Sequence, residues 1–324
     1  MCIVLGILIL ALLAYIVYLY ASYYRIEDNQ ELVVEAPVDD TTTGAAAVLA
    51  TDTEYSAVTY NIGFGAYLPD YSFFMDGGTS SWAESPETVQ YAINGAGELV
   101  KSLDPDFTLI QEIDLDATRS YHTDEYEMLR NILPEYTTVF AQNYDSAFLF
   151  YPFTQPHGSS RAGLGLFSKY PVDNGKELVI FNLHMSAYGN SDEIRKGQIE
   201  MLCNDMAKEY EAGNYVLCGG DFNHDLKASE ENAESCESWA FPFPRSELPE
   251  HFTFCLDLLT EEEQAALWNS ARNADMEYVP GVTYTVTLDG FIISDNIECL
   301  SYENVNTGYS YSDHDPVKVE FMLK

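Results

Sequence analysis

Apolar residues recur along this chain in short runs, and many of these runs are followed directly by a polar residue. Runs typical of strands cover 55–62, 107–110, 136–141, 148–151, 163–168, 177–183, 214–218, 282–287, 291–294, 298–302 and 317–322. Helical spacing predicts helices over 86–103, 116–133, 191–210 and 260–273. Strands interleaved with helices predict an α/β or α+β fold, with helices layered on sheets.

The first 25 residues differ from the rest because they are almost wholly apolar and carry no charge before Arg25. A helix of this length spans a hydrocarbon core of ~30 Å. We therefore expect residues 1–25 to form a transmembrane anchor, 26–52 an acidic flexible linker, and 53–324 the catalytic domain. A cleaved signal peptide is the alternative, but its apolar run is shorter and ends in small residues, whereas this one ends in Tyr23-Tyr24-Arg25.

The charge of the chain weighs against partners that are long polyanions. Formal net charge is −37, with 15 Lys plus Arg against 52 Asp plus Glu, and no basic residue lies between Ile26 and Val100. Proteins that grip nucleic acid backbones need a basic patch. The sequence shows none, so long duplexes and anionic bilayers should be repelled.

Six cysteines occur, without the CxxC or Cys/His spacing of a metal site. Cys218 precedes two glycines in an apolar run and is expected in the core. Cys236 and Cys255 flank a loop-rich stretch, where a disulfide between them is conceivable.

Candidate chemistry begins with Gly219-Gly220-Asp221-Phe222-Asn223, which follows a predicted strand. Side chains two apart share one face of an extended chain, so Asp221 and Asn223 can enter the same cleft. Gly-Asp-x-Asn is also ordinary turn chemistry. The same arrangement of a run and then a polar residue recurs at the following positions: Asn61, Gln111-Glu112, His184, Asp289 and Asp313-His314.

Such a set supports metal-assisted hydrolysis of a phosphoester. Glu112 is expected to be the principal ligand of Mg²⁺ or Mn²⁺, with Asn61 and Asp313 completing the metal site. His314 is the expected general base, and Asp289 would orient it. Asp221 and Asn223 would orient water and the phosphoryl group, while His184 would donate to the oxygens that gain charge.

The set resembles the endonuclease/exonuclease/phosphatase superfamily of DNase I-like phosphohydrolases. The matching pieces are Tyr60-Asn61-Ile62, Gln111-Glu112, Leu183-His184, Gly220-Asp221-Phe222-Asn223, Asp289 and Ser312-Asp313-His314-Asp315-Pro316, in the superfamily's order. The resemblance implies a four-layered α/β sandwich with two facing mixed β-sheets. It also implies the roles given above.

One departure from the superfamily lies at 171–177, where a further strand and a longer connection are usual. Either an edge element is lost, or the flanking strands form a hairpin that turns at Asp173-Asn174-Gly175. Arg119, Tyr121 and Arg161 could touch phosphate, although no spacing argument supports this role. His122 and His157 receive no role.

The sequence thus predicts a membrane-anchored phosphodiesterase or phosphatase, single-pass, monomeric, with its catalytic domain outside the cytoplasm. Small or lipid-linked phosphoesters are the favoured substrates. An extracellular nuclease acting on nucleic acid is the alternative. A binding module that keeps the fold without catalysis is a second alternative, although no member of the set is missing.

Overall fold

The computed structural model describes residues 2–39, 48–171, 178–187, 192–229 and 240–324. Helices are α1 (Cys2–Ser22), α2 (Pro86–Leu103), α3 (Glu125–Ile132), α4 (Asp192–Glu211) and α5 (Glu261–Ala266). Strands are β1 (Val34–Glu35), β2 (Glu54–Asn61), β3 (Phe107–Ala117), β4 (Thr137–Leu149), β5 (Gly158–Ser168), β6 (Leu178–His184), β7 (Tyr215–Asp221), β8 (Phe252–Phe254), β9 (Ala271–Arg272), β10 (Thr285–Val286), β11 (Asp289–Ser294), β12 (Ile297–Asn304) and β13 (Val317–Leu323).

Two mixed sheets dominate the described part of the chain. The larger has seven strands in the order β1-β4-β5-β3-β2-β13-β12, and the smaller has four in the order β6-β7-β11-β8. Each contains one parallel pair, β2 with β3 and β6 with β7. Strands β9 and β10 form a separate two-stranded ribbon.

The sheets face each other across the main core. Tyr55 and Leu109 of the larger sheet share this core with Leu217 and Phe291 of the smaller one. The alternation of β-strand side chains sends Ile110, one residue beyond Leu109, to the opposite face. There it packs in a second core.

Helices cover the outer faces of both sheets. Val89 and Ile93 of α2 and Leu129 of α3 pack in the second core with Ile110. Met206 of α4 belongs to the main cluster with Val216 of β7. The layers therefore run helix, sheet, sheet, helix, and the expected four-layered α/β sandwich is confirmed.

Helix α2 shows how local sequence sets an element's ends. Ser85 caps it by accepting from the Thr88 N–H at 3.1 Å, and Pro86 stands in the first turn. Asp104 closes it in the left-handed conformation. The observed bounds match the predicted 86–103.

Tertiary pairing overrides two other predicted helices. Residues 116–133 were expected to be helical, but β3 continues to Ala117 because it pairs with β5, and α3 starts only after its cap Asp124. The helix expected over 260–273 stops at Ala266, because Ala271 and Arg272 pair with β10. Two strands expected at 136–141 and 148–151 are one strand, β4.

The alternative of a hairpin across 171–177 is wrong. Strand β5 belongs to the larger sheet and β6 to the smaller one, so this connection passes between sheets. Residues 172–177 lie outside the described residues, as do Ser191 and Cys236. Cys255 is buried with a free thiol.

Helix α1 is long and apolar enough to cross a membrane, a property that it shares with signal sequences. Part of the segment between α1 and the domain follows the edge of the larger sheet. Val34 and Glu35 pair with Val139 and Thr138 of β4.

We predict that Gly220→Ala destabilises the fold far more than Gly213→Ala. Both glycines have positive φ, 150° and 88°. A Cβ at Gly220 would lie 2.0 Å from the Leu183 carbonyl oxygen, whereas nothing lies within 4 Å of one at Gly213. Strain alone costs about 1–3 kcal/mol, so Gly220→Ala should exceed that range. Urea denaturation measures both; equal losses would contradict the clash.

Candidate active site

The ends of four strands bring polar side chains to one edge of the sandwich. Asn61 ends β2, His184 ends β6 and Asp221 ends β7, while Asp289 begins β11. Asp221 pairs in register with both His184 and Asp289. Neighbouring strands thus carry three of these residues side by side, as the position of each after or before an apolar run predicted.

Glu112 reaches the same edge by a different route. It lies inside β3, where the register against β5 slips between Ile110 and Ile113. Its own φ is +57°, a conformation that a non-glycine residue adopts at some energetic cost. A bulge turns a side chain to a new direction without ending the strand. The sequence predicted that this strand ends at Ile110, whereas the strand continues and the bulge directs Glu112 to the site.

Asn61 stands between two carboxylates. Its amide nitrogen donates to Glu112 Oε1 at 3.0 Å and to Asp221 Oδ2 at 3.1 Å. His184 Nε2 lies 3.7 Å from the same Glu112 oxygen and 3.6 Å from the same Asp221 oxygen. Two acids therefore face one small volume, and the positive ends of N–H groups offset part of their repulsion.

The donor set around this volume fits a hard divalent cation. Mg²⁺ and Mn²⁺ favour carboxylate and carbonyl oxygens, and Glu112 and Asp221 supply two carboxylates. The side-chain oxygen of Asn61, Oδ1, accepts from the Gly63 N–H at 3.0 Å, so this oxygen faces away from Glu112. Rotation of the amide would turn that oxygen toward a cation between the carboxylates.

His314 forms the second half of the site with Asp289. Its Nδ1 lies 2.8 Å from Asp289 Oδ2, and its Nε2 lies 3.7 Å from Asp221 Oδ2. Ser270 donates to the same Asp289 oxygen at 2.7 Å. Among the described residues, Asp221, Asp289 and His314 form a group whose ligand atoms lie within 4.8 Å of one another.

Electrostatics make His314 a stronger base than an exposed imidazole. Burial by itself lowers its pKa, but Asp289 and Asp221 outweigh burial, so the pKa is raised well above the ordinary value. The hydrogen bond to Nδ1 leaves Nε2 as the nitrogen that faces Asp221 and the cavity.

Asp313 enters the cavity from the loop before β13. The Ser312 hydroxyl donates to the Asn61 carbonyl at 2.8 Å and ties this loop to the end of β2. Burial raises the pKa of Asp313 to about 7, although His314 and Arg272 oppose the shift. An added cation would stabilise its ionised form.

The turn after β7 fixes Asn223 beside Asp221. The Asn223 N–H donates to Asp221 Oδ1 at 2.8 Å, and its side-chain amide donates to the Met185 carbonyl at 2.7 Å. Gly220 permits this turn, since it leaves no side chain against Leu183. The predicted site residues Asn61, Glu112, His184, Asp221, Asn223, Asp289, Asp313 and His314 are thereby brought together.

Six of these residues line a cavity of about 710 Å³, namely Glu112, His184, Asp221, Asn223, Asp313 and His314, and two arginines line it as well. Arg119 lies 3.6 Å from the centroid of the Phe64 ring and forms a bidentate pair with Asp114 at 2.9 and 3.1 Å. Arg272 is buried and donates to the Leu68 carbonyl at 2.9 Å. Two guanidinium groups thus stand among the acids.

Sequence reasoning missed Arg272 and Ser270 because both fell inside a predicted helix. In the structure the segment lies against the loop that carries Asp313, where the Arg272 N–H donates to the Asp313 carbonyl at 2.9 Å. The scarcity of basic residues is the one feature of the sequence that draws attention to a single arginine such as Arg272.

The chain's relation to known proteins agrees with this geometry. Residues 58–257, more than half of the chain, match the model described as the Endonuclease/Exonuclease/phosphatase family. The chain belongs to the endonuclease/exonuclease/phosphatase family. Members of this family are hydrolases that act on phosphoesters. A search of curated proteins found no match.

Solved structures of the family share the fold. An endonuclease/exonuclease/phosphatase from Beutenbergia cavernae aligns with a TM-score of 0.53 at 13% identity, over 83% of this chain and 72% of that one. One from Bacteroides vulgatus gives 0.52 at 16%, over 84% and 100%. TDP2 of D. rerio, complexed with a single-strand DNA product, gives 0.53 at 12%, over 83% and 99%.

His157 generates a prediction about stability and pH. It lines the cavity, and its Nδ1 has no hydrogen-bond partner within the described part of the chain. Burial, with a smaller contribution from nearby Arg119, lowers its pKa to about 4. Between pH 6.5 and 4 the unfolded imidazole binds a proton that the folded one does not. Stability should therefore fall as pH drops through this window, by up to about 2–3 kcal/mol.

The variant His157→Gln should lose this part of the acid sensitivity. Denaturant unfolding at pH 7.5 and 4.5 measures it, with exposed His251→Gln as the control. An unchanged difference between the two pH values in His157→Gln would refute the assignment.

Proposed function

We propose that the protein is a divalent-metal-dependent phosphoester hydrolase that uses His314 as its general base. One observation carries the proposal: Glu112 and Asp221 converge on Asn61 and His184, and His314, held by Asp289, lines the same cavity as the two carboxylates. Family membership supports phosphoester hydrolysis as the reaction.

Glu112 is the proposed principal metal ligand, with Asn61 and Asp313 beside it. When bound, Mg²⁺ or Mn²⁺ would polarise a phosphoryl oxygen and neutralise charge that builds up on it. The surrounding acids favour this cation, because two carboxylates at short range are stabilised by a positive charge between them.

His314 is proposed to take a proton from the attacking water at Nε2. Asp289 holds the ring through Nδ1 and stabilises the imidazolium that forms. The contact of Nδ1 with Asp289 leaves Nε2 to take that proton and to return it to the leaving oxygen.

Three further residues are proposed to hold the reacting groups. Asp221 and Asn223 would orient the water and the phosphoryl group. The contacts of His184 Nε2 with the two carboxylates are long, 3.6 and 3.7 Å, so its N–H can turn to a phosphoryl oxygen as charge grows there.

Small or lipid-linked phosphoesters are the substrates that we favour. A net charge of −37 opposes long nucleic acids, and α1 supports attachment to a membrane as a single-pass anchor. We place the catalytic domain outside the cytoplasm and expect a monomer. A nuclease is the alternative, and the fold shared with a DNA-bound TDP2 structure is the observation that favours it.

Metal-dependent turnover of a generic phosphodiester by the full chain in detergent separates an enzyme from a binding module. We expect hydrolysis that EDTA abolishes and Mg²⁺ restores. A panel of plasmid DNA, sphingomyelin and inositol phosphates then ranks substrates, with plasmid the poorest. Rapid degradation of plasmid would overturn the argument from charge, and no turnover with any metal or substrate would favour the binding module.

Two substitutions should separate base from metal ligand. His314→Ala should lower kcat by at least about 10²-fold, because general base catalysis is lost, while the Mg²⁺ requirement stays similar. Glu112→Gln should instead raise the Mg²⁺ concentration needed for half-maximal activity, by about tenfold or more.

Controls come from matched surface groups. His251 forms an exposed pair with Asp295 at 2.7 Å, so His251→Ala removes a similar pair without effect on kcat. Glu320→Gln is the control for Glu112. An unchanged Mg²⁺ requirement in Glu112→Gln would make the ligand assignment wrong.

A further inference from the structure

Four aromatic residues are exposed where the chain turns from β4 to β5. We call Phe148, Phe150, Tyr151 and Phe153 the aromatic tip. Their exposed fractions rise from 37% at Phe148 to 84% at Phe153. Rings of Phe148 and Phe150 lie 4.8 Å apart and those of Tyr151 and Phe153 lie 5.9 Å apart. Contiguous exposed aromatic surface is typical of a binding surface.

The aromatic tip contacts helix α1. Phe150 lies edge-on to Tyr15, with ring centroids 5.7 Å apart, and 6.2 Å from Tyr18. The Tyr18 hydroxyl donates to the Phe148 carbonyl at 3.1 Å. The domain therefore meets the apolar helix through these rings.

This contact sets the depth of the tip relative to the helix. Tyr15 precedes Ser22, the last residue of α1, by two turns, which is about 10 Å at 1.5 Å per residue. Tyrosines near the end of a spanning helix lie at the membrane interface. If α1 spans a bilayer, the aromatic tip lies at the level of that interface rather than above it.

The segment after α1 holds the domain in this place. Strand β1 pairs with β4, the strand that leads into the tip. Arg130 supports the pairing by an ion pair with Glu35 at 3.0 Å and a hydrogen bond to the Ala36 carbonyl at 3.2 Å. Two separate attachments thus restrain β4 beside the helix.

The aromatic tip is also continuous with the rim of the catalytic cavity. Asn143 and Tyr144 before it and His157 after it line the cavity. Tyr151 packs edge-on against Phe74 at 6.0 Å, and the next residue, Met75, is an exposed part of the cavity lining.

The lack of charge in the aromatic tip favours a lipid surface as its binding partner. In a chain with a net charge of −37, residues 146–156 carry no charged side chain. An uncharged aromatic segment partitions into the headgroup region of a bilayer. The acidity of the remainder favours zwitterionic over anionic lipid.

We propose that the aromatic tip inserts into the interface of the bilayer that holds α1, so that the cavity opens toward the lipid surface and accepts the phosphoester of a membrane lipid headgroup. This inference rests on the proposed hydrolase function and membrane anchor. Insertion concerns the position of the aromatic tip relative to the bilayer, so it can be measured without an assay of hydrolysis.

The test places a fluorescent reporter in the tip. Full-length Phe153→Trp is reconstituted into phosphatidylcholine vesicles whose acyl chains are brominated near the headgroup, and tryptophan quenching is compared with unbrominated vesicles. Met201→Trp is the control, since Met201 is 62% exposed on α4. The native tryptophans give both variants the same background. We expect roughly twofold more quenching with Phe153→Trp.

Flotation of the same vesicles tests the membrane anchor independently of the insertion of the tip. If the chain floats and both variants are quenched equally, the anchor stands and insertion of the tip is wrong. A chain that does not float would overturn the anchor and the inference together, while its hydrolase activity is assayed independently. A dimer formed by the native chain and dissociated by Phe153→Asp would make the tip a contact between copies, and would also overturn the proposal.

Discussion

Repulsion between Glu112 and Asp221 is the constraint on which the site depends. Both carboxylates accept a hydrogen bond from the side-chain amide of Asn61, at 3.0 and 3.1 Å. Strand pairing forces them there: β2 pairs with β3, and β7 packs across the core from both. A fold that assembles two acids at this distance needs compensating positive charge, which N–H groups supply in part and which a bound cation would complete.

Burial and neighbouring charges together set the pKa values of the other groups in the site. Asp289 and Asp221 outweigh desolvation at His314 and raise its pKa, while burial alone dominates at Asp313. Arg119 and Arg272 stand in the same cavity among these acids. Groups of both signs in a restricted volume interact more strongly than in water, so small shifts in proton or cation binding have large effects on one another.

One hairpin carries both cavity-lining residues and the aromatic tip. Strands β4 and β5 carry cavity residues toward the core and the aromatic tip at their far end. An acidic protein is repelled by most biological surfaces. A short uncharged segment, held beside an apolar helix by β1, would let such an acidic protein approach a lipid surface in the way that we propose.

Much of this protein was determined by the sequence alone: the fold class, helix α2 from Pro86 and its apolar face, and a set of eight candidate site residues that the structure brings close together. Those signals are local, because a strand end or a cap is fixed by near neighbours. Tertiary structure decided what depends on pairing at a distance: the bulge that aims Glu112, the early end of α5, the connection between sheets, and the entry of Arg272 and Ser270 into the site. Contacts between residues far apart in the chain leave no periodic trace in it, so only the packed sheets and loops reveal them.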